Sequence, residues 1–457
     1  MTKQFKKQGG VSSSDPSAMA RWSISAMMNF LFSYKRTVTR HAKAESRRKV
    51  EGRAHCVEYF HNVEDPYSHL AAQLLAPLLE RYDIDLVCHL VGNSKGDNTP
   101  EPDLLSDWAR KDAYSVAPEY GLDFQFAEGP LSSDLVEKAA EILAFQDSKG
   151  FMECVVDIGT ALWAGDHQAL ERLAQHHGSA SRPSTTDKII KGSQRRASLQ
   201  HYSSAMFYYA GEWYWGIDRL YHLEKRLGLI DGVDLDPAQA PLANRPKIGE
   251  LQLKDSGQLT LEIFPSLRSP YTAISFDRAV KLARDTGVKL VVRPVLPMVM
   301  RGVPATREKG MYIFMDAARE ARESGVDYGK FYDPIGEPVR RAYSLYPWAV
   351  EQGKGVEFIS SFLACAFSKG VNTSRISGLK RVVEGAGLDW RSAKALVGKP
   401  GWEQSFEENR LTMYQAGLWG VPSFRLLDQR GKQVFSAWGQ DRLWLLHREI
   451  QKQLAAN

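Results

Sequence analysis

A Ser-Pro-Tyr-Thr run, Ser269 to Thr272, lies between a predicted strand and a predicted helix. Residues 259–264 alternate as a strand does, and residues 272–283 carry helical spacing. The N-terminus of a helix presents backbone N–H groups and the positive end of a dipole, which favour a bound anion. The Ser269 hydroxyl at such a helix end would suit a thiolate. The same Ser-Pro pair is also an ordinary helix start, with serine as the N-cap.

The composition predicts a multidomain protein in a reducing compartment. The chain has 457 residues, 43% of them hydrophobic, and is too long for one compact core. Its four cysteines are widely separated, with neither C-x-x-C nor zinc-ligand spacing. We therefore expect free thiols, no metal site and a cytoplasmic location. No apolar run approaches the roughly 18 residues of a membrane span, and no secretory signal is evident.

The positive charge of the chain is concentrated at its N-terminus. Residues 1–53 hold twelve Lys/Arg against three Asp/Glu, a net charge of +9, which leaves −4 for the rest of a chain whose net charge is +5. The remainder needs no nucleic acid as a partner. From Trp22 to about Arg48, apolar side chains recur on one helical face. This basic amphipathic helix is predicted to pack on the body of the protein, with a membrane surface or a partner protein as the alternative.

The chain repeats itself at a separation of 204 residues. A strand at residues 55–60 precedes Asp65-Pro66-Tyr67-Ser68 and a helix through Arg81, and the strand at 259–264 precedes the Ser269 run and its helix in the same way. Each helix leads to a second apolar strand. Each repeat therefore begins with a βαβ unit whose strands are parallel.

The two repeats also end alike. Residues 207–220 and 424–443 are each predicted to form a strand, a turn, a strand and a helix. Roughly a hundred residues of helical character separate the two halves of each repeat. The helices predicted there span residues 135–145, 161–175, 312–324, 338–345, 356–368 and 376–384.

This order resembles the DsbA-like thioredoxin folds, in which a helical insertion separates a βαβ half from a ββα half that starts after a proline. Ser-Pro-Tyr-Thr in place of Cys-x-x-Cys is similar to the 2-hydroxychromene-2-carboxylate isomerases and the kappa-class glutathione transferases. The resemblance covers residues 259 to about 454. Its further motifs are Arg293-Pro294, Lys309-Gly-Met-Tyr312, Gly417-Leu-Trp-Gly-Val-Pro-Ser-Phe424 and Trp438-Gly-Gln-Asp-Arg-Leu443.

The resemblance implies an α/β fold with two tandem thioredoxin-like (DsbA-type) domains, each with a helical insertion between its two halves. A basic N-terminal tail would span residues 1–53 and a degenerate first domain residues 54–228. A linker would occupy residues 229–258, and the second domain residues 259–457. Because kappa-class relatives pair two such domains, the tandem could form an internal pseudo-dimer.

In the family, glutathione is held by residues that match this chain in its second repeat. Ser269 would be the catalytic residue, donating a hydrogen bond to the glutathione sulfur and favouring the thiolate. Pro422 would follow a cis peptide bond. That bond would turn the N–H and C=O of Val421 toward the cysteinyl backbone of glutathione, which they would pair like a strand.

Three further residues would bind the ends of the tripeptide. Gln440 and Asp441 match the pair that holds the γ-glutamyl group, and Lys309 matches a lysine near the bound ligand. Asp441 would accept from the ammonium group. Alternatively, Asp441 is simply the N-cap of the last helix. The family's ligand-contacting asparagine is missing from Arg301–Thr306, so Arg301 or Thr306 replaces it or the pocket differs.

The first repeat departs from the family pattern at both key positions. Asp65 stands in place of the serine, and a carboxylate beside a thiolate would raise the thiol pKa. The stretch from Tyr202 to Phe207 has no proline where the second repeat has Val-Pro. We expect a structural or regulatory domain, or one in which Asp65 and Tyr67 line a different pocket.

These features predict a glutathione-dependent isomerase or transferase that acts on a small electrophilic or aromatic substrate through the second domain. The alternative is a non-catalytic binding or scaffold protein that keeps the fold. A dithiol oxidoreductase is disfavoured because the two motif positions in each repeat hold Asp, Ser, Ser and Thr. Cys56 and Cys365 are predicted to be small buried hydrophobic residues.

Overall fold

The chain forms two compact units. The computed structural model describes residues 15–94, 96–229, 240–303 and 305–456. The first unit is Val38–Pro246, and the second combines Lys247–Asn457 with the N-terminal residues up to Thr37. Residues 1–14, with Lys3, Lys6 and Lys7 of the predicted basic tail, lie outside the described residues, as do positions 230–239 of the predicted linker and Pro304. The predicted domain boundaries stay predictions.

The first unit contains a four-stranded mixed sheet. Its strands are β1 (Cys56–His61), β2 (Asp85–Leu90), β3 (Met206–Tyr209) and β4 (Glu212–Trp215). Their order is β2-β1-β3-β4, with β1 and β2 parallel and the other pairs antiparallel. Parallel neighbours need a crossover connection, which the predicted βαβ unit supplies.

The second unit contains a sheet of the same kind. Its strands are β5 (Thr260–Phe264), β6 (Lys289–Val292), β7 (Ser423–Leu427) and β8 (Gln433–Trp438). Their order is β6-β5-β7-β8, and again only the first pair is parallel. Cys56 pairs with Asp85 in the first sheet, and Thr260 with Lys289 in the second, so the registers also differ by 204 residues. The predicted fold class is confirmed.

Both inner strands carry a buried glutamate at the same position. Glu58 of β1 is bonded to His89 at 2.8 Å and to Arg195. Glu262 of β5 is bonded to Arg293 at 2.6 Å. Burial opposes ionisation of Glu58, but the hydrogen bonds from His89 and Arg195 outweigh it and lower its pKa to about 2. A buried carboxylate needs such partners, and each sheet supplies them from neighbouring elements.

Two helices precede the first strand, α1 (Ala18–Leu31) and α2 (Tyr34–Val50). The sequence predicted one continuous helix here. The break occurs because Ser33 acts as a cap, its hydroxyl accepting the Arg36 N–H. Helix α1 does pack on the second unit, where Met28 joins the core. The packed face is not the apolar one, and Phe30 and Tyr34 are exposed.

Eight helices complete the first unit. They are α3 (Pro66–Ala72), α4 (Leu75–Arg81), α5 (Pro102–Val116), α6 (Ser133–Phe145), α7 (Ser148–Ala164), α8 (His167–His177), α9 (Arg182–Ser198) and α10 (Gly216–Leu227). The helix predicted to run unbroken through Arg81 divides after Ala72, because Pro77 has no N–H to donate to Gln73. The helix predicted over 161–175 divides at Gly165, whose φ is +71°.

In the described residues of the second unit, eight α-helices follow the first strand of the sheet. They are α11 (Pro270–Thr286), α12 (Arg307–Glu323), α13 (Glu337–Glu351), α14 (Gly355–Phe367), α15 (Ile376–Gly385), α16 (Trp390–Lys394), α17 (Glu403–Gln415) and α18 (Leu443–Ala455). The insertion helices α12 to α15 match the predicted ones in number and order, although α12 begins five residues earlier. In the described part of the chain, none of the helices has both the length and the hydrophobicity that crossing a bilayer requires.

The core of the second unit lies between the sheet and the insertion helices. Leu261 and Ile263 of β5 are buried in one cluster with Tyr343 and Phe358 from α13 and α14. The helices therefore cover one face of the sheet with apolar side chains. This packing fixes β5 and the loop after it, where Ser269 lies.

Candidate functional site

Ser269 is the N-cap of α11. Its backbone is extended and its Oγ accepts the Thr272 N–H at 3.1 Å. Pro270 occupies the first helical turn, where its missing N–H costs nothing. The structure thus confirms the ordinary capping role of Ser269. Ser269 is also only half-buried.

The predicted cis proline lies directly beside this serine. The Val421–Pro422 peptide bond is cis, as the sequence predicted. The Ser269 hydroxyl donates to the Val421 carbonyl at 3.4 Å, a long hydrogen bond. Pro422 is buried and Val421 is half-buried. The structure therefore brings together three of the predicted site residues, contributed by segments about 150 residues apart in sequence.

The Gly-Gln-Asp turn after β8 adjoins the same peptide. The Gly439 N–H donates to the Pro422 carbonyl at 3.0 Å. Gly439 has a φ of +114°, and a Cβ there would lie 2.6 Å from an Asp441 carboxylate oxygen. Only glycine fits this turn without strain. Gln440 and Asp441 are consequently held next to the Val421–Pro422 segment.

Gln440 points into the protein rather than toward an open pocket. It is 1% exposed, and its Nε2 donates to Glu320 of α12 at 2.8 Å. Its Oε1 accepts from Arg278 of α11 at 3.5 Å. These contacts tie the turn to both helices. They also occupy groups that the resemblance assigned to the ligand.

Asp441 remains available to a ligand in part. Its side chain is 22% exposed and lies 3.6 Å from the Arg442 guanidinium. The alternative role as the N-cap of the last helix is wrong, because Arg442 occupies that position of α18. Asp441 instead sits in the preceding turn, one residue further from the helix.

Lys309 lies in the first turn of α12. Thr306 caps this helix through a hydrogen bond from the Lys309 N–H at 3.2 Å. Burial lowers the pKa of the Lys309 side chain to about 8. By helical spacing, Lys309 shares a face with Asp316 and Glu320, which contact Tyr271 and Gln440 respectively.

Two side chains of the segment that lacks the family's asparagine, Arg301 and Thr306, have structural roles. Arg301 is buried and its Nε donates to the Leu296 carbonyl at 3.2 Å. Thr306 uses its Oγ1 as the cap of α12. Both side chains therefore support the local backbone. Neither contact reproduces an amide that faces a ligand.

A tyrosine–aspartate pair at the site was missed by sequence reasoning. The Tyr271 hydroxyl, two residues after Ser269, donates to the Asp316 carboxylate at 2.8 Å, and Arg319 holds the same carboxylate at 2.6 Å. Asp316 is fully buried. The sequence did contain an indication of this pair. Tyr67 and Asp112 of the first repeat are separated by 45 residues, as Tyr271 and Asp316 are in the second.

The comparisons with known proteins concern the same part of the chain. Residues 260–451 match the family model of the DSBA-like thioredoxin domain. They form a DsbA-like thioredoxin domain. A 2-hydroxychromene-2-carboxylate isomerase of Sphingobium xenophagum is 25% identical over 196 residues, which are 40% of this chain and 94% of that protein.

Two solved structures are similar to part of this chain. A 2-hydroxychromene-2-carboxylate isomerase is 20% identical, with a TM-score of 0.36 over 43% of this chain and 97% of that one. The cytosolic disulfide reductase DsbM from Pseudomonas aeruginosa is 17% identical, with a TM-score of 0.34 over 43% of this chain and 100% of that one.

The first unit replaces the capping serine of this DsbA-like domain with Asp65. The Asp65 carboxylate accepts from the Tyr67 N–H at 3.0 Å, the Ser68 hydroxyl at 3.1 Å and the Ser204 hydroxyl at 2.7 Å. Burial raises the pKa of Asp65, and these hydrogen bonds oppose that rise. Trp215 packs edge-on against Tyr67. The Asp65 carboxylate is therefore occupied by donors from its own unit.

None of the four cysteines resembles an activated thiol. All are free, and burial raises the pKa of Cys88 and Cys154 to about 12. Cys365 is buried as predicted, but Cys56 is exposed at the start of β1, so that prediction was wrong. Burial first, and then the carboxylates nearby, raise the pKa of Cys56. Over the described ranges, no group of three His, Cys, Asp or Glu residues is placed to hold a metal ion.

Proposed function

We propose that the DsbA-like domain binds glutathione and that the chain is a glutathione-dependent isomerase or transferase. The observation that carries this proposal is the position of the Ser269 hydroxyl. It lies at the start of α11 and donates only a long hydrogen bond, 3.4 Å, to the Val421 carbonyl. A thiolate offers a stronger acceptor than a carbonyl oxygen, so the hydroxyl would turn toward it.

The helix start would favour the ionised sulfur. A free thiol has a pKa of about 8.5 and is mostly protonated at neutral pH. A hydroxyl donor and the N-terminus of the 17-residue helix α11 both stabilise the anion and lower that pKa. In this proposal Ser269 is the residue that touches the reacting atom. Its role in capping α11 is compatible with this, because its Oγ accepts one hydrogen bond and donates another.

The remaining predicted residues would hold the tripeptide. The half-buried Val421 would pair its backbone with the cysteinyl residue of glutathione. Asp441 would accept from the γ-glutamyl ammonium group. Lys309 would attract a carboxylate while it is protonated. Since Gln440 is bonded to Glu320 and Arg278, we assign it to positioning the turn rather than to contacting the ligand.

The reaction would proceed by addition and expulsion of the thiolate. When bound, glutathione would supply a nucleophilic sulfur that can add to a conjugated carbon of the substrate, permit rotation of the former double bond and leave again unchanged. Ser269 would hold this sulfur as the thiolate through its hydroxyl. In a transferase the C–S bond would persist. Similarity to a 2-hydroxychromene-2-carboxylate isomerase favours the first outcome.

We further propose that the two units arose by tandem duplication and that only the second kept the thiolate site. Both sheets have the same strand order, and the Tyr67–Asp112 and Tyr271–Asp316 hydrogen bonds have the same spacing. The saturated Asp65 carboxylate supports a structural or regulatory role for the first unit. The proposed reaction is not a dithiol exchange, because none of the four cysteines lies at either helix start. We also propose a cytoplasmic location, since free thiols are typical of proteins in a reducing compartment.

Calorimetric titration of glutathione into the wild-type protein, Ser269→Ala and Asp65→Ala tests this proposal. We expect one site of millimolar affinity or tighter. At a pH above the bound thiol pKa, Ser269→Ala should lose about tenfold in affinity, because a hydrogen bond to a charged group is removed. Asp65→Ala should bind as the wild type does.

S-methylglutathione is the matched control ligand, because it has no ionisable thiol. Ser269→Ala should bind it as tightly as the wild type. No heat with any protein, together with an unchanged melting temperature at high glutathione, would contradict the proposal and favour a non-catalytic scaffold. Equal losses in the two variants would contradict the assignment of the site to the second unit.

A further inference from the structure

Helix α1 packs on the rest of the second unit through a face that is polar apart from Met28. The Arg21 guanidinium donates to the Asp333 and Ile335 carbonyls, each at 2.7 Å. The Ser25 hydroxyl accepts the Asp333 N–H at 3.0 Å. Asn29 donates to the carbonyl of Phe331 at 2.9 Å and accepts its N–H at 2.7 Å. These hydrogen bonds fix the rotation of the helix about its axis.

The opposite face of α1 is apolar and exposed. Its large side chains are exposed by 79%, 62%, 48% and 59%, and they are Met19, Trp22, Met27 and Phe30 respectively. An amphipathic helix ordinarily buries this face. Between Ala18 and Tyr34, the only charged side chain is the buried Arg21, so the exposed face of α1 carries no charge. A contiguous exposed apolar surface of this kind marks an interaction site.

Positive charges border this apolar face. The Arg36 guanidinium lies over the Phe30 ring at 4.2 Å, and the Arg322 guanidinium lies over the Tyr34 ring at 5.4 Å. Lys35 is exposed beside them. The sequence adds to this charge, since residues 1–53 carry a net charge of +9. An apolar strip with a tryptophan, bordered by cations, is complementary to the interface of an anionic lipid bilayer, which has acyl chains below negatively charged headgroups.

We propose that the exposed face of α1 docks on an anionic lipid bilayer. Trp22, Phe30 and Met19 would enter the boundary between headgroups and acyl chains, where aromatic side chains partition well. Arg36 and Lys35 would contact lipid phosphates, whose negative charge attracts basic segments. The polar face of α1 would stay on the second unit, so docking would not require the helix to detach. This surface is separate from the residues of the proposed glutathione site.

Flotation with lipid vesicles tests this inference in the full-length chain. One set of vesicles contains only phosphatidylcholine, and the other also contains phosphatidylglycerol. We expect the wild type to float with the anionic vesicles and to be released as the salt concentration rises. Trp22→Ser and Phe30→Ser should each weaken binding by about tenfold, because each removes a large apolar side chain from the lipid. Arg36→Glu should weaken binding to the anionic vesicles and leave any binding to neutral ones unchanged.

The matched control is Ile376→Ser, which removes an apolar side chain of the same unit that is 47% exposed on α15. This variant should bind the vesicles as the wild type does, and melting temperatures would show whether all variants stay folded. Absence of flotation of the folded wild type with either vesicle would overturn the inference. A dimer that Trp22→Ser dissociates in light scattering would also overturn it, because the face would then be covered by a second molecule.

Discussion

The helix starts of the two units differ in how fully the capping side chain is used. Asp65 accepts three hydrogen bonds, from Tyr67, Ser68 and Ser204. Ser269 accepts one, from Thr272, and donates a long one to Val421. A carboxylate that already accepts three hydrogen bonds gains little by exchanging one of its donors for a ligand. The serine hydroxyl would gain a stronger hydrogen bond by exchanging the Val421 carbonyl for a ligand. The same fold position therefore carries an acceptor with three donors in one unit, and in the other a hydroxyl that accepts one hydrogen bond and donates one long one.

The loops that carry these two positions share several contacts. The Asn62 N–H donates to the Ser68 hydroxyl in the first unit, and the Ser266 N–H to the Thr272 hydroxyl in the second. Each unit also has its buried tyrosine–aspartate hydrogen bond. The shared contacts maintain the loop between the first strand and the first helix. The cis Val421–Pro422 peptide has no counterpart in the first unit, because residues 202–207 contain no proline. The capping residue is a difference between the units that a substitution can exchange.

Exchanging the capping residues should have the largest effect. In Ser269→Asp, a carboxylate would face the glutathione sulfur, so the pKa of the bound thiol would rise instead of fall. We expect glutathione-dependent turnover to fall by about a hundredfold or more. Asp65→Ser is the reciprocal variant and should leave turnover within about twofold. Turnover that survives Ser269→Asp would contradict the thiolate site, and a loss in Asp65→Ser would show that both units take part.

Replacing Lys309 should have a smaller effect, on the stability of the fold, and this effect should depend on pH. Leu105 is its counterpart in the first unit at the 204-residue separation, so Lys309→Leu makes the second unit resemble the first. Burial lowers the Lys309 pKa from 10.5 to about 8 in the folded state. Below pH 8 the unfolded chain holds this proton more tightly, so the buried charge destabilises the fold. We expect Lys309→Leu to stabilise the protein by about 1–3 kcal/mol at neutral pH.

The sign of this effect can be followed by melting at several pH values. Between about pH 8 and pH 10.5 the folded wild type loses its proton before the unfolded chain does, and its stability rises toward that of Lys309→Leu. The difference in melting temperature should therefore shrink across this interval. A constant difference would show that the burial of charge is not the cause. Weaker glutathione binding by the same variant would support the ligand role of Lys309.

Removing the tyrosine hydroxyl from either tyrosine–aspartate pair should have the smallest effect. The loss of stability should also be nearly equal in the two units. Tyr67→Phe and Tyr271→Phe each remove one hydrogen bond to a buried carboxylate, and we expect each to cost about 1–2 kcal/mol. Hydrogen exchange in α5 and α12 would locate the loss in the unit that carries the change. Glutathione affinity should change by less than about twofold in Tyr271→Phe. A larger change would move this pair from the framework into the binding site.

Features set by neighbours in sequence could be predicted from the sequence. The alternation in 55–60 and 259–264 gave the inner strands, and the 204-residue separation gave two units with the same parallel pairing. The cis Val421–Pro422 peptide was predicted as well. Strand periodicity is a local signal, the two units follow from comparing two stretches of the same chain, and the cis peptide was implied by the family resemblance.

Features set by distant partners could not be predicted. Gln440 faces Glu320, a residue 120 positions away, and nothing in the Gly-Gln-Asp run indicates that partner. The face that α1 buries could not be predicted either. Helical periodicity shows on which face apolar residues cluster, but it does not show which face contacts the rest of the protein. The carbonyls of residues 331–335 decide the matter by accepting from Arg21 and Asn29.

Asp333 has a practical consequence for work with shortened proteins. Its backbone is held by Arg21 and Ser25 of α1, and its carboxylate holds Arg268 through two hydrogen bonds of 2.9 and 3.1 Å. Arg268 precedes Ser269 in the chain. Trimming the N-terminus at the start of the recognisable thioredoxin domain would therefore leave polar groups of the 331–335 loop without partners. An assay of the excised domain would measure a loosened version of the loop that carries Ser269.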